Sequence, residues 1–360
     1  MDLELILRDD EKALFTLREL YESYGYAQYK MSKFEEYDLY AVNKEFLVSD
    51  NIITFTDTDG KLMALKPDVT LSIIKNSVDN AKGVQKVFYN ENVYRVSKGT
   101  KSFKEIMQAG LECFGEVDDY AKAEVIMLAL KSLQSISKEY VLDISNLDLV
   151  NAVFEKANLS KSAKSQALTY LSQKNLNGIK SVCESEGVCE NDTELLKALV
   201  STYGNVNKVK DALNKFELDD KIIDALNNLA STVNLLQNAG FKDKINVDFS
   251  VVSDLNYYNG LIFKGFISGV PTSILSGGQY DNLMQKLNKK SRAIGFAVYL
   301  DELSKIATNQ TFEVDVAIEY GDKQKEQVFE MVDNLIKQGK KVFADKTITD
   351  NVRYNELIKL

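Results

Sequence analysis

KVFYNENVYRVSKGTKSFKEIMQAGLECFG, residues 86–115, carries the pattern that decides the fold. Val87 to Tyr94 is rich in aromatic and β-branched residues and predicts a strand that runs into Arg95. A polar, glycine-containing loop over 96–104 follows, then a second strand whose residues alternate between polar and apolar. Two antiparallel strands joined in this way project Arg95, Gln108 and Glu112 into one concave surface. Positions 108, 110 and 112 share a face because side chains repeat every two residues along a strand. Glu112 stands among Leu111, Cys113 and Phe114, so its carboxylate lies on a half-buried strand and needs a polar partner.

Outward from this stretch, the chain reads as an ordinary soluble protein. Its 360 residues suffice for two or three domains with a large core. A hydrophobic content of 45% beside 27% charged residues excludes disordered and membranous classes, and no apolar run is long enough to span a bilayer. The opening, MDLELILRDDEKALF, has acids where a secretory signal has basic residues. Three unpatterned cysteines (Cys113, Cys183, Cys189) fit reduced thiols in a cytoplasm. A net charge of −9 without a basic stripe argues against nucleic acid as a partner. There is no histidine, which excludes Ser-His-Asp and Cys-His catalysis and HExxH zinc sites. Four thiolates for a cysteine-only zinc site are also lacking. No metal and no cofactor is expected.

Asp9 and Asp10 are expected to cap a helix running to about Tyr24, with Gly25 as its stop. Residues 50–66 alternate like a hairpin about an Asp59-Gly60 turn, and Pro67 opens a helix start. A strongly periodic helix is predicted over about 119–138. Residues 144–240 carry almost no strand signal and read as short helices with polar breaks, an insertion that covers or abuts the site. Strands are expected again at 245–252, 256–267 and 271–281, then a helix and RAIGFAVYLDELSKI (292–306). A polar break near 308–311 precedes a βαβ-like tail with a helix across 322–338.

The stretch 86–115 resembles motif 2 of the class II aminoacyl-tRNA synthetases, in particular the histidyl-tRNA synthetase branch. Four further segments match in the family's order. YGYAQYKMSKFE (24–35) stands at motif 1, with Ser32 where a proline is expected. FTDTDGKLMALKPDVT (55–70) matches the hairpin and the substrate-binding R-P-E-G-T segment. LNYYNGLIF (255–263) and SGGQYDNL (276–283) match the two histidine-specific signatures. The resemblance implies an α+β fold, a class II synthetase-like antiparallel sheet flanked by helices. With its helical insertion (about 144–240), this core spans 1–309, and a small C-terminal α/β domain follows at 312–360.

It also implies a histidine pocket. Asp68 and Thr70 stand where the family holds the α-ammonium, Arg95 and Gln108 suit the carboxylate, and Glu112 can accept an imidazole N–H. Tyr258 and Tyr280 supply hydroxyls and flat walls. Tyr257 joins the set, although strand alternation would turn it to the opposite face. Charge-neutralising groups for ATP are replaced: Ser97 stands at the adenine-side glutamate, Ser253 at the histidine-specific catalytic arginine, and Glu302 at the motif 3 arginine. Losing one such donor typically costs about 3 kcal/mol of barrier. A site that holds histidine but not ATP resembles the ATP phosphoribosyltransferase regulatory subunit family. That resemblance implies a non-catalytic homodimer within a hetero-oligomer, partnered with a short-form catalytic subunit, through which histidine feeds back on its own biosynthesis. The rival readings are an active histidyl-tRNA synthetase or related adenylating enzyme, and a stand-alone amino-acid sensor.

Overall fold

The computed structural model describes residues 7–43, 52–77, 83–97, 100–252, 257–303, 313–322 and 325–360. Ser253 and the expected break at 308–311 lie outside the described residues.

The chain opens with α1 (Asp9–Ser23), β1 (Ala27–Gln28), β2 (Phe34–Glu36) and α2 (Tyr37–Val42). β3 (Thr54–Thr56), β4 (Leu62–Leu65) and α3 (Val69–Asn76) precede the long β5 (Val84–Val96) and β6 (Phe103–Gly115). Next come α4 (Asp119–Ile136), β7 (Tyr140–Asn146), α5 (Leu147–Lys156), α6 (Lys161–Ser172), α7 (Leu176–Glu186) and α8 (Glu190–Ser201). The two-residue β8 (Tyr203–Gly204) separates α8 from α9 (Val206–Leu213) and α10 (Asp220–Leu236). β9 (Ile245–Asp248), β10 (Asn259–Ile267), β11 (Leu275–Gln279), α11 (Asp281–Lys286), β12 (Arg292–Tyr299) and α12 (Leu300–Leu303) end the first of two compact units, 1–306 and 307–360.

Nine strands of the first unit form one sheet in the order β1-β5-β6-β12-β11-β10-β7-β9-β8. It is antiparallel from β5 through β7, and parallel only where β1 meets β5 and β9 meets β7. An antiparallel sheet can carry an apolar and a polar face. Leu111, Cys113, Phe296, Val298 and Phe263 point into a continuous core with Leu17 and Tyr21 of α1 and Val125, Leu128 and Leu133 of α4. The Tyr21 ring stands 5.9 Å from Phe296, edge-on. The other face carries Gln108, Gly110 and Glu112, and there a smaller core gathers Tyr89, Val93 and Phe114 with Ile73 and Ile74 of α3. A second sheet, ordered β2-β4-β3, adjoins α3.

Six helices occupy the expected insertion. Side chains of Asn146, Ser160, Asn175, Asn205 and Asp219 accept backbone N–H groups at helix starts, so the polar breaks in the sequence are caps. Leu149, Phe154, Leu199, Leu226 and Val233 join the main core.

Three expectations need correction. Arg8, not Asp9 or Asp10, is the N-cap residue of α1. Its N–H donates to the Glu11 carboxylate at 2.9 Å, one half of a capping box, which leaves the two aspartates inside the helix. β9 stops at Asp248 rather than continuing to 252, because that carboxylate accepts the Ser250 N–H and its carbonyl the Val251 N–H, folding the chain into a turn. In the second unit, β13 (Val314–Glu319), α13 (Lys325–Lys337) and β14 (Val342–Asp345) form the expected βαβ. An unforeseen β15 (Tyr354–Lys359) pairs parallel with the other edge of β13.

Candidate functional site

The site is built on the polar face of β6. Glu112 lies opposite Gly295 of β12 and Val87 of β5; Gln108 lies opposite Tyr299 and Glu91. Both polar side chains are buried. Gly295 is required by this approach. A Cβ there would stand 1.8 Å from Glu112 Oε2 and 2.5 Å from the Leu111 carbonyl oxygen.

The N-terminus of α3 closes over the carboxylate. Asp68 caps this helix by accepting the Leu71 N–H at 2.8 Å, so its extended backbone delivers Thr70 toward the sheet. The Thr70 hydroxyl donates to Glu112 Oε1 at 2.6 Å, and the Tyr280 hydroxyl donates to Oε2 at 2.5 Å. Tyr280 is itself positioned by the residues around it in its signature. Its N–H bonds to the Ala293 carbonyl, and Asp281 accepts the Ala293 N–H at 2.8 Å while donating its own N–H to Asn259. Gln279 accepts the Leu261 N–H and fills the space that the left-handed Gly260 leaves open.

Tyr257 sits 4.5 Å from the Tyr258 ring and 6.1 Å from that of Tyr280, all three on one side of the sheet. The expected opposite-face placement of Tyr257 is therefore wrong. Both tyrosines precede β10, so strand alternation does not govern them. Arg95 uses its Nε to hold the Pro67 carbonyl at 3.0 Å, which ties β5 to the residue before Asp68. The eight candidate residues divide accordingly. Thr70, Glu112, Tyr257, Tyr258 and Tyr280 meet in a hydroxyl-rich nest, with Asp68 at its edge. Arg95 and Gln108 flank it.

Burial pushes the Glu112 carboxyl up to about 8; the Thr70 and Tyr280 hydroxyls oppose this and the Asp68 charge adds to it. Asp68 is also raised, chiefly by burial, although its bond from Leu71 and the Arg95 charge pull it down. Two carboxyl groups thus share a poorly hydrated pocket, which favours an entering cation or hydrogen-bond donor. Asp68→Ala removes a cap as well as a charge and should cost about 1 kcal/mol of stability, whereas Asp68→Asn should keep the cap. Chemical denaturation of both variants separates these terms, and equal losses would show that capping contributes nothing here.

Ser97 and Glu302, the described positions where a lost charge is expected, differ in setting. The Ser97 N–H bonds to the Ser102 carbonyl in the connection between β5 and β6. Glu302 accepts the Thr272 hydroxyl at 2.7 Å on the wall of a cleft of about 570 Å³. Tyr299 lines the same cleft and stands beside Gln108, so the cleft adjoins the nest. Among the described residues that line the cleft, Glu105, Asp301 and Glu302 outnumber Lys104.

Sequence reasoning overlooked Lys66 and Glu91, which form an ion pair at 2.9 Å beside the site, the lysine buried and the glutamate partly so. The sequence signals are a lysine directly before Pro67-Asp68 and its place within the segment 55–70. Among the described residues, no group of three His, Cys, Asp or Glu side chains could hold a metal, and no helix is long and apolar enough to cross a membrane.

The family model for histidyl-tRNA synthetase matches residues 7–303. The chain belongs to the histidyl-tRNA synthetase family. The match ends before the second unit, which lies outside it. Within this family, the chain is 28% identical over 339 residues to the ATP phosphoribosyltransferase regulatory subunit of Acetivibrio thermocellus, covering 91% of this chain and 81% of that one. Among solved structures, it is similar to an ATP phosphoribosyltransferase regulatory subunit/histidyl-tRNA synthetase from Bacillus halodurans. The TM-score is 0.77 at 22% identity, over 98% of this chain and 93% of that one. A chain of an ATP phosphoribosyl transferase complex from Thermotoga maritima aligns with a TM-score of 0.63 at 16% identity, over 83% of this chain and 97% of that one. These structural likenesses establish the synthetase-like α+β fold.

Proposed function

We propose that this chain is the regulatory subunit of ATP phosphoribosyltransferase, a non-adenylating member of the histidyl-tRNA synthetase family that binds histidine in the Glu112 nest. One observation carries the reading. A buried carboxylate clamped by two hydroxyls lies next to a cleft lined by Glu105, Asp301 and Glu302. The nest offers an acceptor for a ring N–H at Glu112 and a carboxylate near the helix N-terminus, Asp68, for an ammonium. Glu302 offers repulsion where adenylation needs a cation. The 28% identity to the Acetivibrio regulatory subunit supports the same assignment.

In this reading the chain forms a homodimer within a hetero-oligomer and docks on a short-form catalytic phosphoribosyltransferase in the cytoplasm. Histidine biases a two-state arrangement at that interface, with a coupling of about 1–3 kcal/mol. Linkage is reciprocal, so phosphoribosyltransferase ligands change histidine affinity by the same factor. Addition of the chain to a short-form catalytic subunit should raise its turnover, and histidine should then lower it. No change in turnover at any mixing ratio would remove the assignment. Histidine-dependent exchange of pyrophosphate into ATP should be absent, and a robust exchange rate would restore the synthetase reading.

A further inference from the structure

The Lys66 side chain is wholly buried, at 0% exposure, and reaches Glu91 Oε2 at 2.9 Å. Burying an ammonium is costly, and replacing a buried ion pair by apolar side chains of similar volume is often neutral or stabilising. Stability alone therefore gives little reason for a charge at this position. Its place in the fold gives a better one. Lys66 lies between β4 of the small sheet and α3, directly before Pro67 and Asp68. Its N–H bonds to the Lys33 carbonyl just before β2, and its carbonyl accepts the Tyr94 N–H of β5 at 2.9 Å. The next carbonyl, that of Pro67, is held by Arg95. Pro67 has no N–H of its own to anchor it.

The segment 66–68 therefore spans two sheets that share no strand pairing. It is fixed to β5 by one backbone bond and two cationic side chains. Glu91, at the far end of the Lys66 tie, faces Gln108 across the β5–β6 ladder. The same pair thus reaches both the Asp68 side and the Gln108 side of the nest. We infer that Lys66 and Glu91 are positioning residues of the amino-acid site, setting the height at which Asp68 and Thr70 stand above Gln108 and Glu112. This rests on the histidine-pocket reading and deepens it.

The test is a calorimetric titration of the full chain with histidine, alongside thermal unfolding. Lys66→Met and Glu91→Gln should each weaken binding by roughly tenfold or more, the scale of one misaligned charge-assisted hydrogen bond. Lys66→Arg should restore most of the affinity, and the double variant should bind no worse than the weaker single one. Leu226→Ala, a buried change in α10, should lower the melting temperature without altering affinity. Wild-type affinity in a folded Lys66→Met chain overturns the inference, as does an affinity loss that merely follows the melting temperature. If Lys66→Met does not fold, Glu91→Gln decides: undiminished binding overturns the inference and weakened binding supports it. If the wild-type chain itself gives no histidine heat, the pocket reading falls and this inference with it.

Discussion

Glu112→Gln should stabilise the unliganded chain at pH 8 while weakening histidine binding. Glu112 is buried, and its carboxyl is raised from an ordinary 4.5 to about 8, burial being the main cause. An acid whose folded pKa exceeds its unfolded value keeps its proton longer in the folded chain. The associated stability is complete below about pH 4.5 and is lost as pH climbs toward 8, where the unfolded chain has already released the proton. At 1.36 kcal/mol per pKa unit, the penalty at pH 8 is about 4 kcal/mol at most. Asp68 is shifted in the same direction and steepens the decline.

A neutral amide escapes this penalty while the Thr70 and Tyr280 hydroxyls still find a partner, since hydroxyls both donate and accept. The gain over wild type should vanish near pH 4.5 and widen up to pH 8. Urea denaturation at three pH values measures it, and parallel curves for the two proteins would refute the charge argument. Histidine affinity should fall, because an amide presents one acceptor oxygen where the carboxylate presents two. Such a pairing of higher stability with lower function marks a group retained for its ligand.

The second large effect is expected at Gly295. Gly295→Ala places a methyl 1.8 Å from Glu112 Oε2 and 2.5 Å from a backbone oxygen of β6. The carboxylate can rotate away, but the Leu111 carbonyl moves only if β6 and β12 separate. Overpacking of this kind costs about 1–3 kcal/mol, and here it also breaks the Thr70 and Tyr280 contacts. Glu112→Ala in the same chain relieves the side-chain clash and leaves the backbone one. The double variant should therefore be more stable than the sum of the two single losses. Strict additivity, measured by thermal unfolding, would place the clash elsewhere.

Much of the element order is legible in the sequence. The period-two pattern around Gln108 and Glu112 signals one strand face, the Asp59-Gly60 turn signals a hairpin, and polar residues between 144 and 240 mark helix starts. All are local signals, written within a few residues of the structure they specify. Failures occurred where a nearby side chain overrode the pattern. Asp248 folds its strand into a turn, and Glu11 accepts the Arg8 N–H, which makes Arg8 the N-cap and leaves the aspartates inside the helix. Strand alternation does not set the face of Tyr257, which precedes β10.

The amino-acid order alone determined which segments become strands and helices, and the run of signatures that marks the family. Only the tertiary structure decided what surrounds Glu112. Thr70 reaches it across 42 positions and Tyr280 across 168, because the sheet sets β12 between β6 and β11. The same packing drew Lys66 out of water and onto Glu91. Strand periodicity is a property of the local backbone, whereas these contacts depend on strand order and on which groups water can no longer reach.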